Sequence, residues 1–236
     1  MGVFLAFSSC AAQIRGPLNA DGSADLQIRA SLEPRMAALI RSLSAVATGP
    51  AMDGPLLDGP AIAQSMSNAP GISSVSFSNT APAAIEGPVR VSQIGDFLAA
   101  GGSAPGGSTS GSSGFISFEQ SSGRGRCSIG LSRETGPEIL SLLSPEISEY
   151  LSVLMAPLAT GEQISKAEYL ELVSTVFGKA LADEISRSTI RVSIDFPGAI
   201  QSVRGGTFSG RRAEFTVPLP DLLVLETPLS YEVIWK

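Results

Sequence analysis

Apolar and polar residues alternate from 24 to 32, where Leu26, Ile28, Ala30 and Leu32 share one side, the signature of a half-buried strand. Glu33 and Pro34 then open a helix over 33–48, with Met36, Leu39, Ile40 and Leu43 forming an apolar stripe at spacings of three and four. Residues 49–71 contain Asp53-Gly54-Pro55 and Asp58-Gly59-Pro60, two turn-forming triplets that predict a loop. Alternation returns at 72–78 through Ile72, Val75 and Phe77, and at 85–91 through Ile85, Val89 and Val91, predicting two strands. A short helix is expected over 92–100, with Ile94, Phe97 and Leu98 on one side.

The run from Gly101 to Gly114, GGSAPGGSTSGSSG, reads as a flexible loop rather than a domain boundary, because Phe115 to Phe118 and Cys127 to Leu131 continue the strand pattern beyond it. A helical block follows over 135–187. Thr135-Gly136-Pro137-Glu138 has capping-box form, Ser144-Pro145-Glu146 starts a second helix, and Pro157 ends it. Ser165 and Glu168 form another capping box, with Ile164 and Tyr169 placed as a hydrophobic staple, and the apolar stripe beyond runs to Ile185. A strand is predicted over 188–196, a Pro197-Gly198 turn, a hairpin pairing 199–203 with 213–217, and a last strand over 229–235. The pattern predicts one α+β domain over 23–236, an antiparallel sheet packed on one face by the helices of 33–48, 92–100 and 135–187.

Composition narrows the chemistry. The chain has no histidine, so Ser–His–Asp and Cys–His catalysis and histidine-based metal sites are excluded; its two cysteines cannot build a four-cysteine metal site. Sixteen Lys and Arg against 22 Asp and Glu give a net charge of −6, which argues against a nucleic-acid partner. The carboxylates Glu168, Glu171, Asp183 and Glu184 read as a solvated helix face before an acid/base set, and Lys166 or Lys179 would be the base of any Ser–Lys pair. The two Asp-Gly-Pro triplets match no calcium-loop spacing. Cys127 reads as a small strand residue, with activation by Arg124 and Arg126 as the alternative. No catalytic residue, metal or cofactor is expected.

The first residues change the picture most. Val3 to Phe7 is apolar and leads into Ser8-Ser9-Cys10, which resembles the lipobox of bacterial lipoproteins. Phe7 stands where Leu is commonest, as in the looser lipoboxes of spirochaetes. The resemblance implies a signal peptide over 1–9 cleaved before Cys10, acyl chains such as palmitate on Cys10, a tether over 10–22, and a membrane as partner in the cell envelope. No basic residue precedes Cys10 and the apolar run is short, so an apolar first strand of a cytosolic protein stays open beside it.

Residues 189–235, about a fifth of the chain, resemble the C-terminal part of LppM-type extracytoplasmic domains through Pro197, Gly198, Gly205, Gly206, Phe215, Val217 and Leu219. That resemblance implies a membrane-anchored, periplasmic or surface domain; lipid binding is attributed to some members. Candidate ligand residues follow. Arg204, Arg211 and Arg212 surround Gly205-Gly206 and could hold a phosphate headgroup, against a solvated hairpin tip. Leu222 and Leu223, in the run Leu219 to Leu225, could line a groove for an acyl chain, against ordinary core packing. The expected function is a non-enzymatic envelope lipoprotein binding a hydrophobic ligand or membrane lipid. The alternative is a structural or assembly module that binds an envelope protein. A cavity lined by the helical leucines would favour the first, and a filled core with an exposed apolar patch the second.

Overall fold

A computed structural model describes residues 10–48, 54–94, 112–113, 116–121, 124–136 and 151–236. The alternating segments become strands: β1 (Cys10–Pro17), β2 (Ala24–Ser31), β3 (Ile72–Val75), β4 (Ser78–Ala81), β5 (Ala84–Val91), β6 (Ser112–Ser113), β7 (Ile116–Ser121), β8 (Arg124–Leu131), β9 (Thr189–Asp195), β10 (Ile200–Arg204), β11 (Thr207–Ser209), β12 (Arg212–Pro218) and β13 (Leu229–Trp235). The helices are α1 (Pro34–Thr48), α2 (Gly59–Ser67), α3 (Pro157–Thr160), α4 (Lys166–Phe177), α5 (Lys179–Arg187) and α6 (Leu219–Val224). The class is α+β, as the pattern predicts.

The strands form two sheets where one was expected. The large sheet runs β11-β12-β9-β1-β2-β5-β3, with β4 also on β5, and the small sheet runs β10-β13-β8-β7-β6. Pairing is antiparallel except between β1 and β9, which run parallel in the middle of the large sheet. Period-2 alternation sends Leu26, Ile28 and Ala30 of β2, Ile85, Val89 and Val91 of β5, and Ala213 and Phe215 of β12 into one core. There they meet Phe118, Cys127, Val233 and Trp235 of the small sheet and Ile62 and Met66 of α2. A second core joins the helices: Met36, Ala37 and Ile40 of α1, Tyr169 and Val173 of α4, Leu181 and Ile185 of α5, and Leu223 and Val224 of α6.

Several expectations are corrected. Residues 10–17 are not a tether: β1 begins at Cys10 and is paired along both edges. Its small residues and Gly16-Pro17 imitate a linker, but Gly16 is required where it stands. At φ +152° any Cβ there would lie 2.0 Å from the Asp25 carbonyl oxygen of the neighbouring strand. The expected hairpin over 199–217 is also split. β10 pairs with β13 in the small sheet, while β12 pairs with β9 in the large one, so the chain changes sheets at Gly205, whose φ is +77°.

The second Asp-Gly-Pro triplet starts α2 rather than a loop. Asp58 accepts a hydrogen bond from the Ala61 amide at 3.1 Å, and Pro60 sits in the first turn, where no donor is needed. The long helix expected from Ser165 breaks at Gly178 (φ +93°) into α4 and α5. Pro157 opens the short helix α3. The capping box of Ser165 and Glu168 forms as expected, each accepting from the other's amide. Most of the expected helix over 92–100 and of the Gly/Ser loop over 101–114, the helical segment of 137–150 and the signal segment of 1–9 lie outside the described residues.

Candidate functional site

Strand alternation builds a concavity on the face of the large sheet opposite the core. The register places Arg15 of β1 between Ser193 of β9 and Gln27 of β2, and Gln27 opposite Pro88 of β5. One row further along, Arg212 pairs with Asp195, and Asp25 with Arg90. These side chains surround a hollow of about 670 Å³.

Its rim is held by ion pairs. Arg212 reaches Asp195 through two parallel bonds, Nε to Oδ1 at 2.9 Å and Nη2 to Oδ2 at 2.8 Å. Arg90 Nε donates to Asp25 Oδ1 at 2.6 Å. Next to the hollow, Arg29 donates to Glu86 at 2.7 Å. The Arg212 hydrogen bond holds the Asp195 carboxyl below its usual range, as Arg29 does for Glu86. The Arg15 side chain, in the centre, makes no hydrogen bond or ion pair among the described residues; its charge is felt by Glu86 through space.

The residues singled out from sequence fall in separate places. Arg211 Nε donates to the Phe196 carbonyl at 2.9 Å, tying the Gly210 turn to the end of β9. Arg212 belongs to the rim. Arg204 lies at the far end of β10, opposite Glu232, so the three arginines do not converge on Gly205-Gly206. Leu223 is 1% exposed and packs in the helical core. Leu222, beside it on α6, is half-buried. Leu154, Leu181 and Leu223 are buried in that core, with Leu39, Leu151, Leu170 and Leu219 packed against it. Large exposed apolar side chains, among the described residues, are Val176 and Phe208.

The other candidate groups have structural work. Glu184 is buried and accepts the backbone amides of Arg35 at 3.0 Å and Met36 at 2.8 Å, capping α1 from another helix. Asp183 pairs with Lys179, and Lys166 with Asp221. Burial pushes the Cys127 thiol up to about 11, which leaves it protonated at neutral pH despite the neighbouring arginines. Arg126 is itself paired with Glu232 across β13. No group of three Cys, Asp or Glu that could hold a metal occurs among the described residues, and none of their helices is long and apolar enough to cross a membrane.

Arg15 is hidden in the sequence because the small and polar residues around it imitate a tether. The signal lay in Gln13 and Arg15 alternating with Ala12 and Ile14, a short amphipathic strand.

Where Cys10 and the hollow lie relative to each other follows from register. Cys10 pairs with Thr189, while Pro17, at the other end of β1, pairs with Asp195 on the rim. At about 3.3 Å per residue, Cys10 and the rim are roughly 23 Å apart.

No family model matches this chain, and no curated protein matches it. Among solved structures, the NMR structure of the Mycobacterium tuberculosis LppM folded domain is similar, with a TM-score of 0.38 and 11% identity over 100% of this chain and 95% of that one. At that level of likeness, neither ligand nor location passes from that domain to this chain.

Proposed function

We propose that this chain is a non-enzymatic lipoprotein of the cell envelope, held to a membrane by acyl chains on Cys10, whose domain meets its partner through the open face of the large sheet. The lipobox-like Phe7-Ser8-Ser9-Cys10 supports the anchor. The observation that carries the working surface is the hollow around Arg15: Arg15, Asp25, Gln27, Arg90, Ser193 and Asp195 line it, while Ile28, Val91 and Ile194 on the opposite side of the same strands are packed in the core. Membrane lipid or another hydrophobic ligand, expected from the leucine-rich segments, finds less support, since Leu223 and its neighbours are spent on the core. A non-enzymatic role is supported by the uses already made of the carboxylates: Glu184 caps a helix, and Asp25 and Asp195 are neutralised by arginines.

Because β1 starts at the acylated residue, the anchor would have almost no slack, and the domain would stand on the bilayer with the Thr189 end of the sheet down and the hollow up. Metabolic labelling with a fatty acid tests the anchor. The full chain should incorporate label and fractionate with membranes; Cys10→Ser should lose both. Label retained by Cys10→Ser would overturn the reading.

A further inference from the structure

We infer that the hollow on the open face is a binding site for a small, singly charged, hydroxyl-bearing anion, a carboxylate or phosphodiester, with Arg15 as its anchor. This rests on the reading of that face as the working surface. Of the arginines around the hollow, Arg90 and Arg212 are engaged by Asp25 and Asp195. Their four charges cancel pairwise, so the uncompensated charge of the site is the Arg15 guanidinium. One negative charge balances it. A second would be brought against Asp25 or Asp195, whose carboxylates stand on two sides of the hollow. A guanidinium presents a planar fork of donors that matches a carboxylate or phosphodiester through two parallel bonds.

The surroundings select the rest of the molecule. Ser193 and Gln27 flank Arg15 on the neighbouring strands; Ser193 offers a hydroxyl, and Gln27, whose Nε2 donates to Glu86 Oε1 at 3.4 Å, offers its amide oxygen, both suited to ligand hydroxyls. Pro88, opposite Gln27, gives an apolar ring without a donor. A hollow of about 670 Å³ is within the usual range for a small-molecule site. The ion pairs hold the rim before any ligand arrives, so little ordering cost falls on binding. A chain anchored through Cys10 holds Arg15, five residues along β1, roughly 16 Å from its attachment point, beyond the headgroups of its own bilayer, which favours a soluble ligand.

The test is a titration of the full chain carrying Cys10→Ser, followed by amide chemical shifts, with glucuronate, glycerophosphoglycerol and the neutral methyl glucoside as probes. Binding with a millimolar or tighter Kd is expected for glucuronate or glycerophosphoglycerol, with shifts centred on Gly16, Gln27 and Ser193, and none for the glucoside. Which of the two anions binds separates a carboxylated sugar from a phosphodiester headgroup. Arg15→Gln should weaken binding at least tenfold. Arg15→Lys, which keeps the charge and loses the fork, should fall between, and Arg41→Gln on α1 should bind as the parent does. Arg15 is exposed, so its variants should keep the parent's spectrum elsewhere. No shift at the three named residues with either anion up to 50-fold above about 1 mM, or equal binding by Arg15→Gln, would overturn the site. The Cys10→Ser background carries no acyl chain, so this experiment and the fatty-acid labelling can each fail without the other.

Discussion

The two faces of the large sheet are made by the same strands and differ in every property that matters. On β2, Leu26, Ile28 and Ala30 enter the core, while Asp25 and Arg29 on the other side are exposed and Gln27 between them is half-buried. On β9, Ile194 faces in and Ser193 and Asp195 face out. The packed face supplies stability through apolar area, worth about 25 cal/mol per Å² removed from water. The open face carries arginines and carboxylates whose mutual attraction is largely spent against water. A sheet can therefore carry a binding surface at little cost to its fold, provided the opposite face holds it together. Substitutions on the two faces should then separate cleanly, stability changing on one and recognition on the other.

The largest effect is expected at Trp235. It is 1% exposed, its ring centroid lies 4.8 Å from that of Phe196 and 6.0 Å from that of Phe118, and it occupies the space a side chain at Gly125 would need. Trp235→Ala should cost about 3–5 kcal/mol in urea unfolding. Trp235→Phe should cost much less: it keeps a ring in place and removes an indole Nε1 that is buried without a hydrogen-bond partner. If the alanine variant unfolded as the parent does, the packed face would not be what holds the two sheets together.

Glu184 sharpens the comparison because it is a carboxylate on the inside. It is tolerated there because both oxygens are used, each accepting an amide at the start of α1. Glu184→Ala would leave the Arg35 and Met36 amides without those acceptors, and should cost about 2–3 kcal/mol. Glu184→Gln, with one acceptor oxygen left, should lose less. The readout is the same urea unfolding, with loss of helical ellipticity expected at lower denaturant in the alanine variant.

The packed face was the more legible of the two in the sequence. Alternation in 24–32, 85–91 and 229–235 identifies β2, β5 and β13, and the capping box at Ser165 identifies the start of α4. What escaped depended on contacts between distant segments. Nothing local to Ala11, Ala12 and Gln13 says that β9, about 180 residues later, lies alongside them in parallel. The division of β10 and β12 between two sheets is likewise decided by β13 and β9, not by the Gly205-Gly206 turn. Glu184 read as part of a solvated face because its partners sit 148 and 149 residues earlier. The hollow was invisible for the same reason: Arg15, Asp25, Arg90 and Asp195 meet only through strand register.

The smallest effect is expected at the Asp195–Arg212 pair, although its geometry is the best on the open face. Its side chains are 35% and 54% exposed, so solvent screens the pair. Asp195→Asn should move the unfolding midpoint at pH 7 by less than about 2 °C. The sign of its pH dependence is fixed. The Arg212 hydrogen bond holds the folded-state pKa of Asp195 below the ordinary value. The contribution of Asp195 is therefore complete above about pH 4, the range of an unfolded aspartate, and is lost as pH falls through the lower folded value. The stability difference between parent and Asp195→Asn should be flat from pH 7 to 5 and shrink toward pH 2. A difference that grew on acidification would mean that protonated Asp195 is the form the fold prefers, and that the open face is held by something other than its ion pairs.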